Sequence, residues 1–153
     1  MQISQKVEII TKSGAETKKL GVLLARTIQQ EDRTKKDGAL VVSLEGDLGA
    51  GKTTFAQGFA EGLGIKERIT SPTFVILKIY RVKNKKDLIH IDAYRIGARD
   101  LAVLNWKEFV KEPRNIILIE WGGRVKKILP KDTIRILFAH QKSDERKIKI
   151  LGQ

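Results

Sequence analysis

The amino-acid sequence predicts an α/β domain with a central sheet of mixed parallel and antiparallel strands flanked by helices. Three observations predict it. Strand-like apolar runs alternate with stretches of helical periodicity along the chain. One run, "ALVVSL" (39–44), is continuously apolar, as a strand buried on both faces must be. Two later pairs of runs are joined by short polar turns, which makes each pair an antiparallel hairpin within an otherwise alternating pattern.

The elements follow in order. "KVEII" (6–10) is a short strand candidate. "SGAETKKLGVLLARTIQQ" (13–30) has helical spacing through Leu20, Leu24 and Ile28, with Ser13 placed to cap its start. After the strand at 39–44 comes a glycine-rich loop, then a helix from Gly51 to about Leu63, which Gly64 stops. "FVILKIYRV" (74–82) and "DLIHIDAY" (87–94) flank the lysine-rich turn "KNKK" and form the first hairpin. A helical segment spans about 98–112, and "NIILIEW" (115–121) is a second buried strand. "TIRILFAH" (133–140) and "RKIKIL" (146–151) close the chain as the second hairpin. No repeat, low-complexity tract or Pro/Gly/Ser-rich linker interrupts this order, so residues 1–153 read as one domain.

Composition narrows the function classes. Hydrophobic residues at 41% and charged residues at 31% lie in the globular range and exclude wholesale disorder. The absence of cysteine excludes a disulfide framework, a thiolate metal site and a cysteine nucleophile. The N-terminal "MQISQKVEIITKSG" has no apolar signal core, and no run approaches the ~20 apolar residues of a membrane span. A soluble, cytoplasmic protein with no membrane association is the expectation. The net charge of +12 attracts polyanions such as tRNA, although aromatics at 6% offer no evident base-stacking platform. Lysines that merely solvate the surface would give the same total.

The glycine-rich loop carries the chemistry. In "GDLGAGKTTF" (46–55), Gly46, a four-residue spacer, Gly51, Lys52 and Thr53 match G-x-x-x-x-G-K-[ST] without a mismatch. Glycine lets the backbone turn tightly and aim successive N–H groups at one anion. The helix that begins at Gly51 adds the partial positive charge of its N-terminus. Lys52 can reach the β- and γ-phosphates of a nucleotide, and the Thr53 hydroxyl is a ligand for the accompanying Mg²⁺. With a buried strand before it and a helix after it, the loop reads as a P-loop and the domain as P-loop NTPase-like.

Two rival classes fit less of the chain. "NKKD" (84–87) matches the guanine-reading N-K-x-D pattern, but Asn and Asp are also turn residues, and no D-x-x-G magnesium loop follows the cradle. A small-molecule kinase would need an arginine-bearing lid; Arg95 and Arg99 flank a short helical segment without a long insertion.

Three further strings are polar where packing does not require it. "TSPTF" (70–74) follows the helix after the cradle, where Ser71 or Thr73 would act as a switch-like sensor of the γ-phosphate. In "HIDAYR" (90–95), His90, Asp92 and Tyr94 alternate onto one strand face, and Asp92 is the carboxylate best placed to orient a water or a hydrated Mg²⁺. In "ILIEW" (117–121), Glu120 sits at the C-terminal end of a core strand, the edge where open α/β sheets bind ligands. There it would complete a magnesium site with Thr53, and Trp121 would cover the nucleotide or pack in the core.

In this order, "GDLGAGKTTFAQGFAEGLGI", "TSPTF", "HIDAYR" and "LIEWGGR" closely resemble the TsaE (YjeE) family, and the similarity runs from about residue 7 to 151, including "LPKDTIRI". These are small ATPases of tRNA threonylcarbamoyladenosine biosynthesis. The resemblance implies slow Mg²⁺-dependent hydrolysis of ATP to ADP. It implies partnership with TsaD and TsaB on tRNAs that read codons beginning with A. Residue by residue it implies that Gly49, Ala50, Gly51, Lys52, Thr53 and Thr54 hold the phosphates and that Thr53 and Glu120 ligate Mg²⁺. It implies that Asp92 is needed for hydrolysis, and that the segment near Ser13 lies by the adenine. The chain departs from the family pattern in two ways. Gly122–Gly123 stand where the family usually has Pro or Ser followed by Glu, and the balance of charge is strongly basic. Because no lid or arginine finger is evident in cis, turnover by the lone chain is expected to be slow.

Overall fold

Alternation along the strands sets two apolar faces on one sheet, and the helices cover both. The computed structural model describes residues 6–33, 36–70, 76–83 and 86–152. It holds a seven-stranded sheet in the order β1-β7-β6-β2-β5-β4-β3. The strands are β1 (Val7–Thr11), β2 (Leu40–Gly46), β3 (Leu77–Val82), β4 (Lys86–Asp92), β5 (Asn115–Glu120), β6 (Ile134–His140) and β7 (Arg146–Leu151). β2 runs parallel to both β5 and β6, and β4 parallel to β5. The pairs β3–β4, β6–β7 and β1–β7 are antiparallel. The mixed sheet is therefore a parallel core of β6, β2, β5 and β4 with antiparallel edges.

On one face, Leu40, Val42 and Leu44 of β2 join Ile116 and Leu118 of β5 beneath the helices α1 (Gly14–Gln29) and α2 (Lys52–Gly62). On the other, Val41, Ile117, Ile119, Ile89 and Ile91 pack against α3 (Ala98–Val103), α4 (Trp106–Lys111) and a 3₁₀ segment, Gly122–Ile128. All six residues of β5 are buried, which explains its continuous apolar run. The two long helices touch through glycines. A Cβ on Gly58 of α2 would lie 1.9 Å from the Lys18 carbonyl oxygen of α1, and one on Gly21 of α1 would lie 2.4 Å from that of Phe55. Only hydrogen at these positions allows so close an approach.

Several expected boundaries shift. The Ser13 hydroxyl does cap α1, accepting from the Glu16 N–H at 3.1 Å, and Gly64 does end α2 with φ +87°. The segment expected to be helical over 98–112 is two short helices, because Asn105 takes a left-handed φ of 64° between them. β4 ends at Asp92 rather than Tyr94. The Asp92 Oδ1 accepts from the Tyr94 N–H at 2.9 Å, which turns the chain out of the strand. His90 and Asp92 thus share a face, but Tyr94 does not continue it. β5 ends at Glu120, since Trp121 adopts φ 62° and the 3₁₀ segment follows, an element the hydrophobic pattern did not announce. Residues 71–75 lie outside the described residues, and with them the switch-like Ser71 and Thr73.

Candidate functional site

The C-terminal ends of the parallel strands meet the N-terminus of α2, and the site forms at that junction. Gly46, Gly49 and Gly51 all have positive φ, at 145°, 76° and 105°. This conformation suits glycine and folds the loop around its own amides. Gly51 is the N-cap of α2 and no side chain caps it, so the N–H groups opening the helix are left for a ligand. Lys52 is 5% exposed. Its ammonium donates to the Gly46 and Asp47 carbonyls and lies 4.0 Å from the centroid of the Trp121 ring. Burial lowers its pKa from the usual lysine value, opposed by Glu120, Asp47 and Asp92 nearby. The lysine rests on the loop's own carbonyls and an aromatic face.

Two carboxylates complete the junction. Asp92 and Glu120 are cross-strand partners at the ends of β4 and β5. Thr53 Oγ1 donates to Glu120 Oε1 at 3.3 Å, joining residues 67 apart in sequence. His90 Nε2 donates to the other oxygen, Glu120 Oε2, at 2.7 Å, with both side chains almost wholly buried. The imidazole therefore fixes the carboxylate and leaves Oε1 facing the threonine. His90 Nδ1 is buried without a hydrogen-bond partner among the described residues. Among those residues no group of three or more His, Asp or Glu side chains could hold a metal ion alone. One hydroxyl and one carboxylate is the sparse donor set that suits Mg²⁺ arriving with phosphate oxygens and water.

A cleft of about 410 Å³ lies over this constellation. It is lined by Gly49, Gly51, Lys52, Thr53, Thr54, Asp92, Glu120 and Trp121, all anticipated from the sequence. Ala50 is buried beneath the loop, and Ser13 caps its helix, while Gly14 and Thr17 of the same helix line the cleft. Sequence reasoning did not place Leu48, Asp144 or Arg146 here. Arg146, the first residue of β7, donates to the Gly49 carbonyl at 3.1 Å and so ties the closing hairpin to the loop. Its signal is faint in the sequence, because an arginine heading an edge hairpin is ordinary surface chemistry. Arg95 also lines the cleft, so a cation is present in cis where the pattern placed only the flank of a helix. Tyr94 packs against Trp121 with ring centroids 4.9 Å apart and planes tilted by 52°, and the Arg124 guanidinium lies 4.9 Å from the Tyr94 ring. Of the guanine-reading string, Asn84 and Lys85 lie outside the described residues. Asp87 is the second residue of β4, opposite Asn115, and five residues of strand put it roughly 17 Å from Asp92.

A mixed sheet whose central strand delivers a G-x-x-x-x-G-K-T loop onto a helix N-terminus defines a P-loop-type α/β domain. The family is more particular. A model of the family described as "Threonylcarbamoyl adenosine biosynthesis protein TsaE" matches residues 11–148. The chain is 41% identical over 110 residues to the Bacillus subtilis tRNA threonylcarbamoyladenosine biosynthesis protein TsaE, covering 71% of this chain and 66% of that one. It is 38% identical over 128 residues to its Treponema pallidum namesake, covering 83% and 87%. For the Nostoc protein of the same name the identity is 34% over 153 residues, covering 98% and 88%. The crystal structure of Bacillus subtilis YdiB superposes with a TM-score of 0.72 at 30% identity, covering 99% of this chain and 88% of that one. The chain belongs to the TsaE family, whose members serve tRNA threonylcarbamoyladenosine biosynthesis.

Proposed function

We propose that this chain is a Mg²⁺-dependent ATPase subunit of the machinery that installs threonylcarbamoyladenosine on tRNAs reading codons that begin with A. It acts in the cytoplasm with TsaD and TsaB. The observation that carries the ATPase reading is the convergence of Thr53 and Glu120, 3.3 Å apart, at the mouth of the glycine loop. Among the described residues no helix is long and apolar enough to cross a membrane.

In this reading the loop amides and the N-terminus of α2 receive the phosphates of ATP. Lys52 leaves the Gly46 and Asp47 carbonyls and the Trp121 face to meet the β- and γ-oxygens. Thr53 and Glu120 would hold Mg²⁺, which would supply charge neutralisation at the phosphates. Asp92 orients the attacking water and takes its proton. The water oxygen bonds to the γ-phosphorus, the bond to the β-bridging oxygen breaks, and ADP and phosphate leave. Arg95 is exposed and makes no hydrogen bond or ion pair among the described residues. An untethered guanidinium is not preorganised for the transition state, so the lone chain turns over slowly. A threonylcarbamoyl-transfer assay reconstituted with and without this chain tests the reading. Transfer that needs the chain and ATP supports it, and full transfer without the chain overturns it.

A further inference from the structure

One ion pair of this molecule lies next to the site without belonging to it. Arg135 of β6 forks onto Glu45 of β2, its Nε donating to Oε1 at 3.1 Å and its Nη2 to Oε2 at 2.7 Å. The Ser43 hydroxyl donates to the same Oε1 at 3.1 Å. Three donors thus fix one largely buried carboxylate. The pair joins residues 90 apart in sequence, whereas the Arg114–Glu112 pair joins surface residues two apart. Neither Arg135 nor Glu45 is among the residues that line the nucleotide cleft. What the carboxylate supports lies beside it. Glu45 directly precedes Gly46, whose carbonyl accepts from the Lys52 ammonium. The Trp121 N–H donates to the Leu44 carbonyl at 2.8 Å, and the two glycines that follow lie flat on the same strand. A Cβ on Gly122 would meet Ser43 Oγ at 1.9 Å, and one on Gly123 would lie 3.5 Å from Glu45 Cδ. Residues 43–45 are therefore a floor for residues 121–123, and the fork holds that floor in place. Two groups that meet the Lys52 ammonium, the Gly46 carbonyl and the Trp121 ring, both rest on it.

Resting on the ATP site proposed above, we propose that Arg135 is a positioning residue for nucleotide binding, fixing through Glu45 the Gly46 and Trp121 walls between which Lys52 meets the phosphates. Geometry matters here as well as charge. A guanidinium matches both carboxylate oxygens at once, while an ammonium is a single point charge on a flexible stem. The carboxylates nearest the reaction are held by other means, Asp92 and Glu120 by the β4–β5 register and Glu120 also by His90. Loss of the fork therefore weakens ATP binding and spares the chemical step.

The test compares the full chain with Arg135→Met, which removes the fork but keeps an apolar stem, with Arg135→Lys, and with Glu45→Met/Arg135→Met, which removes the ion pair whole. ATP affinity is read by calorimetric titration, KM and kcat by steady-state hydrolysis, and fold stability by the denaturant midpoint. Arg135→Met should weaken ATP binding and raise KM about three- to tenfold, with kcat within about twofold of the parent. Arg135→Lys should share the loss of affinity, because it restores the charge and not the fork. An apolar pair can replace a part-buried ion pair at little cost in stability. In the double variant the midpoint should therefore return toward that of the parent while ATP affinity stays low. Full ATP affinity in Arg135→Met, recovery of affinity together with the midpoint in the double variant, or a fall in kcat at constant KM would each overturn the proposal. If Arg135→Met does not fold, the lysine and double variants decide the matter on the same terms. These outcomes stay separate from the ATPase reading, which fails instead if the parent chain binds no ATP.

Discussion

Glu120 shows how one carboxylate is given a single task. Its two oxygens have different partners, His90 on one and Thr53 on the other. Replacing it by Gln keeps the shape but removes the charge that a cation needs. Glu120→Gln should therefore lower ATP affinity about tenfold or more in Mg²⁺ and leave affinity in EDTA unchanged, read by calorimetric titration in both buffers. An equal loss in both would mean that the residue supports the loop and not a metal. Asp92 is expected to behave differently, because it lies at the strand end with one oxygen already holding the Tyr94 N–H. Asn preserves that bond. Asp92→Asn should spare nucleotide binding and reduce kcat by about 10²-fold, within the range of a lost general base. Both carboxylates were legible in the sequence because strand-end acids after apolar runs announce themselves. His90 was legible only as polar. That it lies wholly buried as the clamp on Glu120 depends on the β4–β5 register, which no local pattern encodes.

At the level of elements, α1 and α2 are held at a separation only glycine permits. Gly58→Ala would drive a Cβ into the Lys18 backbone carbonyl, and a backbone atom cannot rotate away. The expected cost is about 2–3 kcal/mol of stability by chemical denaturation, the range of an overpacked interior. A change under about 0.5 kcal/mol would show that the helices can part freely. The 3₁₀ segment after Trp121 presents a similar case. A Cβ on Gly122 would lie 1.9 Å from Ser43 Oγ and 2.8 Å from Ser43 Cβ, which gives a physical reason for glycine at this position. These elements also mark where sequence reading stopped. Long amphipathic helices and apolar strands were plain. The break at Asn105 and the left-handed Trp121 were not, because a single residue's φ leaves no periodic trace.

The whole molecule places the glycine-rich loop and two carboxylates at one end of one sheet. The order of strands explains how, since β2, β4 and β5 run parallel and release their chains on the same side. The cradle could be read from ten residues because its geometry is local. The contribution of Arg146 could not, because the β6–β7 hairpin reaches the loop only through the full sheet order. If Arg146 braces the loop, Arg146→Ala should raise KM for ATP about three- to tenfold with kcat little changed, the signature of lost uniform binding. A fall in kcat at constant KM would assign it to the reaction instead.

We propose that ATP cleavage at Thr53, Asp92 and Glu120 serves threonylcarbamoyl transfer to tRNA. It is tested most directly by adding this chain, or its Asp92→Asn form, to TsaD, TsaB, threonylcarbamoyl donor, tRNA and ATP over many turnovers. The parent chain should sustain modification, and the Asp92→Asn chain should bind ATP yet stall after the first rounds. Sustained modification with Asp92→Asn at the parent rate would contradict the account.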